Sequence, residues 1–177
     1  MVFAGFPLPP ELLTEGLHEV TITCIPLKPP LLACIKSTNY LLNTLTALEA
    51  QRQGGRFGIL VEDGWVAEAC VLNVAVVAAD GWLRTPPFEN ILCGTTIRRA
   101  MDFAQELVAA GELAGLEQAR LKVEDLYQAR EVMLAAGDHH VFSVVALDGR
   151  PISTGRPGPV CKQLQKAIDD EMAVGTS

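Results

Sequence analysis

Phe57-Gly58-Ile59-Leu60-Val61-Glu62-Asp63-Gly64-Trp65-Val66-Ala67-Glu68-Ala69-Cys70-Val71 is the stretch whose reading decides the fold. Phe57–Val61 reads as a strand, Glu62-Asp63-Gly64 as a tight turn, and Trp65–Ala78 as a returning strand pair, because Asp-Gly suits the positive φ angles of a short hairpin. Asp80-Gly81 is a second turn of this kind. Towards the N-terminus, Val20–Ile25 alternates β-branched residues and reads as a strand, with Pro29-Pro30 as punctuation. Leu31–Ile35 is a short apolar strand ending at Lys36. Ser37 or Thr38 can cap a helix with Tyr40, Leu41, Leu45 and Leu48 on its apolar face, closed by Gly54-Gly55. Towards the C-terminus, Thr95 or Thr96 caps a helix over Ile97–Ala110 with Ile97, Met101, Ala104 and Val108 on one face. A third helix is expected over Val123–Ala136, a strand over Val141–Ala146, a turn at Asp148-Gly149 and a last helix over Pro159–Met172. Mixed strands and helices give an α/β or α+β domain.

The 177 residues suit one domain, and 49% apolar with 20% charged residues exclude disorder. A net charge of −7 with no basic run argues against a nucleic-acid partner and a membrane surface. No uncharged apolar stretch approaches the roughly 20 residues that cross a bilayer. Cys24, Cys34, Cys70, Cys93 and Cys161 form no CxxC pair and point to reduced thiols in a reducing compartment. His18, His139 and His140 offer no metal-ligand spacing, so no metal is expected. Met1–Thr14 has no Lys or Arg and carries Glu11, unlike a secretory or transit leader.

Three residue groups can carry chemistry. Lys36, between strand and helix, is either a surface residue or a partly desolvated amine able to attack a carbonyl. Glu68 interrupts an apolar strand; it faces either outward or inward, and an inward carboxylate needs a cationic partner such as a pyridinium. Gly94-Thr95-Thr96 opens a helix, as a plain cap or as an anion site whose free N–H groups suit a phosphate.

Their order resembles the class IV (fold-type IV) pyridoxal-phosphate-dependent aminotransferases, a family that includes branched-chain and D-amino-acid aminotransferases and aminodeoxychorismate lyase. Carrying the resemblance are Ile25-Pro26-Leu27-Lys28-Pro29-Pro30, Lys36-Ser37-Thr38-Asn39-Tyr40-Leu41, and the E-x4-N pair Glu68 and Asn73. Gly94-Thr95-Thr96 after Pro86-Pro87-Phe88 adds to it, as does the ending Asp148-Gly149, Gly155-Arg156, Gly158-Pro159-Val160. The match runs colinearly over about residues 20–172, and the Lys-Ser-Thr-Asn-Tyr-Leu run is most similar to the plant-type D-amino-acid aminotransferase and lyase branch.

The resemblance implies a mixed α+β pseudo-barrel, the large cofactor-binding domain of such an enzyme, over residues 19–177. Residues 1–18, Pro/Gly-rich and aperiodic, are then a linker remnant, with the N-terminal small domain and its phosphate-contacting arginine absent. Lys36 would form the aldimine with pyridoxal 5′-phosphate and shuttle the proton at the substrate Cα. Glu68 would pair with the pyridine nitrogen, with Asn73 beside it, and Thr95 and Thr96 would hold the phosphate. Tyr40 would lie near the ring oxygen, and Gly137 in a second phosphate cradle. The implied reaction moves an amino group between an amino acid, D- or branched-chain, and a 2-oxo acid. The alternatives are the lyase reaction and an inactive truncated paralogue or interaction module. A homodimer is implied for the full-length form, in the cytoplasm, or in a plastid where a longer parent carries a leader.

The chain departs from the family at several positions. Asp138 replaces a small or hydroxyl residue in the loop after the third helix and would repel a phosphate. Arg130 stands in that helix for an acidic residue, and Ser143 for a frequent proline. His139 and His140, as neighbours on a strand, would face opposite ways.

Overall fold

The computed structural model describes residues 9, 11–138 and 140–175. α1 (Glu11–Glu15) leads into β1 (Leu17–Glu19) and β2 (Thr21–Ile22). The one-turn α2 (Pro30–Ala33) and α3 (Leu41–Arg52) precede β3 (Ile59–Glu62), β4 (Trp65–Ala69), β5 (Leu72–Val77) and β6 (Trp82–Thr85). α4 (Thr95–Ala109), β7 (Gly115–Gln118) and α5 (Val123–Gln128) follow. β8 (Glu131–Ala136), β9 (Val141–Leu147), β10 (Arg150–Pro151) and α6 (Pro159–Gly175) complete the described chain.

Two sheets form. The larger runs β1-β9-β8-β5-β6-β7, with β10 paired to β9; the smaller runs β2-β3-β4. In the larger sheet β1–β9 and β6–β7 are parallel and the β9–β8, β8–β5 and β5–β6 ladders antiparallel. Its central strands are covered on both faces, so they are apolar at nearly every position. Leu72, Val74 and Val76 of β5 point with Val132 and Leu134 of β8 into a core shared with β3 and β4. Ala75, Val77, Met133 and Ala135 point the other way, towards Ile97, Ala104, Leu164 and Ile168 of α4 and α6. A third cluster, including Ile22, Leu60 and Ile91, lies on the outer face of the smaller sheet.

Three carboxylates fix the joints. Glu19 accepts the backbone N–H groups of Arg56, Phe57 and Gly58 at 2.9–3.2 Å, seating the entry to β3. Burial nevertheless pushes its carboxyl above the usual range, the three N–H donors opposing only in part. Asp148 accepts the Thr21 N–H at 2.8 Å and the Tyr127 hydroxyl at 2.6 Å. Glu131 accepts the N–H groups of Val160 and Cys161 at 3.0 and 2.9 Å and so caps α6.

The Asp-Gly turns form as expected: Asp63 and Gly64 (φ 51° and 79°) join β3 to β4, and Asp148 and Gly149 (50° and 74°) join β9 to β10. Several expectations are corrected. The third helix ends at Gln128, and Glu131–Ala136 is the buried strand β8 between β5 and β9. Its Glu-Val-Met-Leu-Ala-Ala sequence favours helix, and the two-sided core overrides that preference. Arg130 is therefore outside a helix; its backbone N–H bonds the Val77 carbonyl at 2.8 Å. Residues 137–138 belong to the β8–β9 connection, while His139 lies outside the described residues.

Leu31–Ile35 is not a strand, because Pro30 occupies the first turn of α2, where its missing N–H costs nothing. Only Thr21 and Ile22 of Val20–Ile25 are strand. The described part of the expected aperiodic stretch 1–18 contains α1 and the start of β1, and Leu17 is only 2% exposed. α3 starts after Tyr40 without a side-chain cap, the Ser37 hydroxyl accepting the Asn39 N–H instead. Its facing is reversed: Asn43, Thr46, Ala47 and Ala50 are buried, while Leu41, Leu45 and Leu48 are exposed.

Candidate active site

β4 carries Glu68 half-buried into a cleft lined also by Leu27, Lys28, Asn43, Asn90 and Ile91. Burial pushes the Glu68 carboxyl up to about 7, against the Leu92 N–H and the charges of Lys28 and Lys36, which lower it. A cationic N–H placed beside this carboxylate would favour its charged form.

Glu68 Oε2 accepts the Leu92 N–H at 3.3 Å, and Asn73 Nδ2 donates to the Leu92 carbonyl at 2.7 Å. The five-residue spacing across the β4–β5 junction thus holds both polar groups of one residue's backbone. Leu92 lies two residues before Gly94, the N-cap of α4. A Cβ at Gly94 would fall on the Asn73 amide oxygen, so glycine is required here by the closeness of that side chain. Asn73 is buried against this turn, in the layer behind the helix start.

α4 begins with no side-chain cap bond, so its first N–H groups are free. Thr95 is exposed at this end. Thr96 is 3% exposed and its Oγ1 has no partner. A buried, unsatisfied hydroxyl beside free helix N–H groups matches an anion such as a phosphate. The β5–β8 register, Leu72 to Ala136 and Asn73 to Ala135, brings the turn containing Gly137 to the same end of the sheet as Asn73. Gly137 and Asp138 are exposed there, and Asp138 Oδ1 lies 3.2 Å from His140 Nδ1. Ser143 is buried within β9.

Lys36 is exposed, which corrects the partly desolvated amine considered from the sequence: α2 and its neighbours lie on the surface. Its Nζ donates to the Tyr40 hydroxyl and lies 5.0 Å from the ring centroid. Lys28 Nζ lies 5.4 Å from the same centroid. Tyr40 thus has two ammonium groups close to it, a cation–π arrangement. Lys28 stands in the quoted Ile25–Pro30 run but has no role from sequence. Asn43 escapes sequence reasoning too, although an amide inside Leu41-Leu42-Asn43 is the available signal. Among the described residues no group of His, Cys, Asp and Glu can hold a metal ion, and no helix is long and apolar enough to cross a membrane.

Comparisons with known proteins identify the family. The family model for amino-transferase class IV matches residues 1–147. The chloroplastic D-amino-acid transaminase of Arabidopsis thaliana is 37% identical over 159 residues, covering 89% of this chain and 43% of that protein. The branched-chain-amino-acid aminotransferase of Escherichia coli K12 is 32% identical over 178 residues, covering 95% of this chain and 55% of that protein. A crystal structure of the T.th. branched-chain amino acid aminotransferase with pyridoxamine 5′-phosphate superposes with a TM-score of 0.81 at 26% identity, over 94% of this chain and 53% of that one. The chain spans about half the length of these relatives. With 147 of its 177 residues matched, and with its fold shared with that structure, the chain belongs to the class IV aminotransferases, a pyridoxal-phosphate-dependent family of fold type IV.

Proposed function

We propose that this chain is the cofactor-binding part of a pyridoxal-phosphate-dependent aminotransferase that moves an amino group between a D- or branched-chain amino acid and a 2-oxo acid. One observation carries the reading: Glu68, an acceptor for a protonated ring nitrogen, and the free N-terminus of α4, a seat for a phosphate, are joined through the backbone of Leu92. The residues present suit pyridoxal 5′-phosphate, since the unpartnered Thr96 Oγ1 and the half-buried Glu68 match its anionic and cationic ends. When bound, that group supplies an electron-accepting ring for a substrate carbanion.

The residues of the chain do the rest. Thr95 and Thr96, with the N–H groups of α4, hold the phosphate. Glu68 keeps the ring nitrogen protonated. Lys36 Nζ, which donates to the Tyr40 hydroxyl, would hold the cofactor and would move the proton at the substrate Cα. Asn73 and Gly137 complete the phosphate end, Asn73 through the Leu92–Gly94 turn. The reading takes residues 19–177 as the cofactor-binding domain; the strand Leu17–Glu19 is already paired to β9. The exposed Leu41, Leu45 and Leu48 of α3 support a homodimer, which a sharp monomer in light scattering would contradict. The free thiols support a reducing compartment, cytoplasm or plastid.

The test is amino transfer from D-alanine and from L-leucine to 2-oxoglutarate by the purified chain with added cofactor. Transfer that disappears in Lys36→Ala supports the reading, and transfer unchanged in Lys36→Ala contradicts it.

A further inference from the structure

Lys28 is a charged residue beside Lys36 that the proposed function leaves without a task. It is half-buried, whereas Lys36 is exposed. Its Nζ lies 5.4 Å from the Tyr40 ring centroid, and Lys36 Nζ lies 5.0 Å from the same centroid. A ring face attracts an ammonium without using up its three N–H donors, so Tyr40 holds the charge in place and leaves donors over. Among the described residues no carboxylate forms an ion pair with Lys28. Glu62 accepts the Leu27 N–H at 3.4 Å and Glu68 the Leu92 N–H at 3.3 Å. A partly desolvated ammonium with donors to spare favours an anion beside it.

The position selects the anion. The crevice that Lys28 lines with Glu68 has room for about one water, so no substrate enters there. Tyr40 is not part of that lining, and the Lys28 ammonium sits over its ring, on the side of the exposed Lys36. Two ammonium groups thus flank one ring. In amino transfer the reacting carbon of both substrates, amino acid and 2-oxo acid, bears a carboxylate as its direct neighbour. With Lys36 at the reacting carbon, a cation for that carboxylate has to stand close to Lys36, and Lys28 does.

We propose that Lys28 is a substrate-binding residue, its ammonium taking the carboxylate that amino-acid and 2-oxo-acid substrates carry next to the reacting carbon. The proposal rests on the aminotransferase reading above, with Lys36 as the reacting amine. It makes Lys28 the residue that selects acids over simple amines and ketones, and gives it no part in holding the cofactor.

The experiment loads wild type and Lys28→Met with pyridoxal phosphate and follows the absorbance of the bound cofactor. Apparent dissociation constants are measured for D-alanine and L-leucine, and for D-alaninol and L-leucinol, in which CH2OH replaces the carboxylate. The expected result is a loss of roughly 10–100-fold for the amino acids in the variant, the range of one charge-assisted hydrogen bond. The alcohols and the affinity for the cofactor should not change, and Lys28→Arg should recover part of the loss. Equal weakening of acids and alcohols, an unchanged response to the acids, or loss of the cofactor itself would overturn the proposal. Wild type that binds no cofactor overturns the aminotransferase reading instead, which separates the two failures. A measurement on wild type removes dependence on the variant's folding: pyruvate should shield Lys28 from acetic anhydride, as read by peptide mapping, and acetone, with a methyl in place of the carboxylate, should not. Equal shielding by both, or none by pyruvate, would contradict a contact to the carboxylate.

Discussion

Glu68 and Asn73 grip the Leu92 backbone from two sides, the carboxylate on its N–H at 3.3 Å and the amide on its carbonyl at 2.7 Å. The consequence is mechanical. Glu68 and the turn that opens α4 move as one piece, because Glu68 on β4 and Asn73 on β5 both hold Leu92.

Asn73→Ala removes a buried hydrogen bond and leaves the Leu92 carbonyl unpaired. A loss of about 1–3 kcal/mol in unfolding free energy is expected by denaturant titration. Because the slack falls on the Leu92–Gly94 turn, affinity for pyridoxal phosphate should fall more than affinity for pyridoxal, which lacks the phosphate. Equal losses for the two would place Asn73 outside the phosphate end.

Thr96→Val swaps the unpartnered hydroxyl for a methyl of nearly the same shape. Without ligand the variant should be as stable as wild type, or more stable by about 1 kcal/mol, since an unsatisfied buried group has gone. Its affinity for pyridoxal phosphate should fall roughly tenfold. A large loss of stability with unchanged affinity would make Thr96 a packing residue only.

Glu68 releases its proton at about 7 in the fold, against 4.5 for an ordinary glutamate. Between these values the folded chain holds a proton that the unfolded chain has lost, so this group's effect is a stability that declines as pH rises from about 4.5 to 7. Below that window both states are protonated and the group is neutral in its effect; above it the full cost is present. Glu68→Gln should flatten the decline of the denaturation midpoint between about pH 4.5 and 7 in the ligand-free chain. Glu19, also raised by burial, retains the remainder. Parallel wild-type and variant curves would contradict the burial of Glu68.

The sequence is legible where local chemistry decides. Asp63-Gly64 and Asp148-Gly149 announce their turns because few other pairs accept two positive φ angles. Lys36, Glu68 and Gly94-Thr95-Thr96 stand out only through their order along the chain, which is what carries the family resemblance. What is not legible depends on long-range packing. Glu131–Ala136 has helix-forming residues and becomes a strand because β5 and β9 flank it. The leucines of α3 look like a core face, yet Asn43 and Thr46 take that place because their polar atoms find the Cys70 and Leu42 carbonyls. The Leu92 clamp has no sequence signature beyond the spacing of Glu68 and Asn73.

The central claim is that Lys36 and Glu68 serve one pyridoxal-phosphate site built on this chain. Its most direct test is the visible absorption of the purified chain with added cofactor, followed by borohydride reduction and peptide mapping. The account predicts a yellow species, with the reduced label on Lys36 alone and absent from Lys36→Ala. Label scattered over surface lysines, or no yellow species at all, would contradict it.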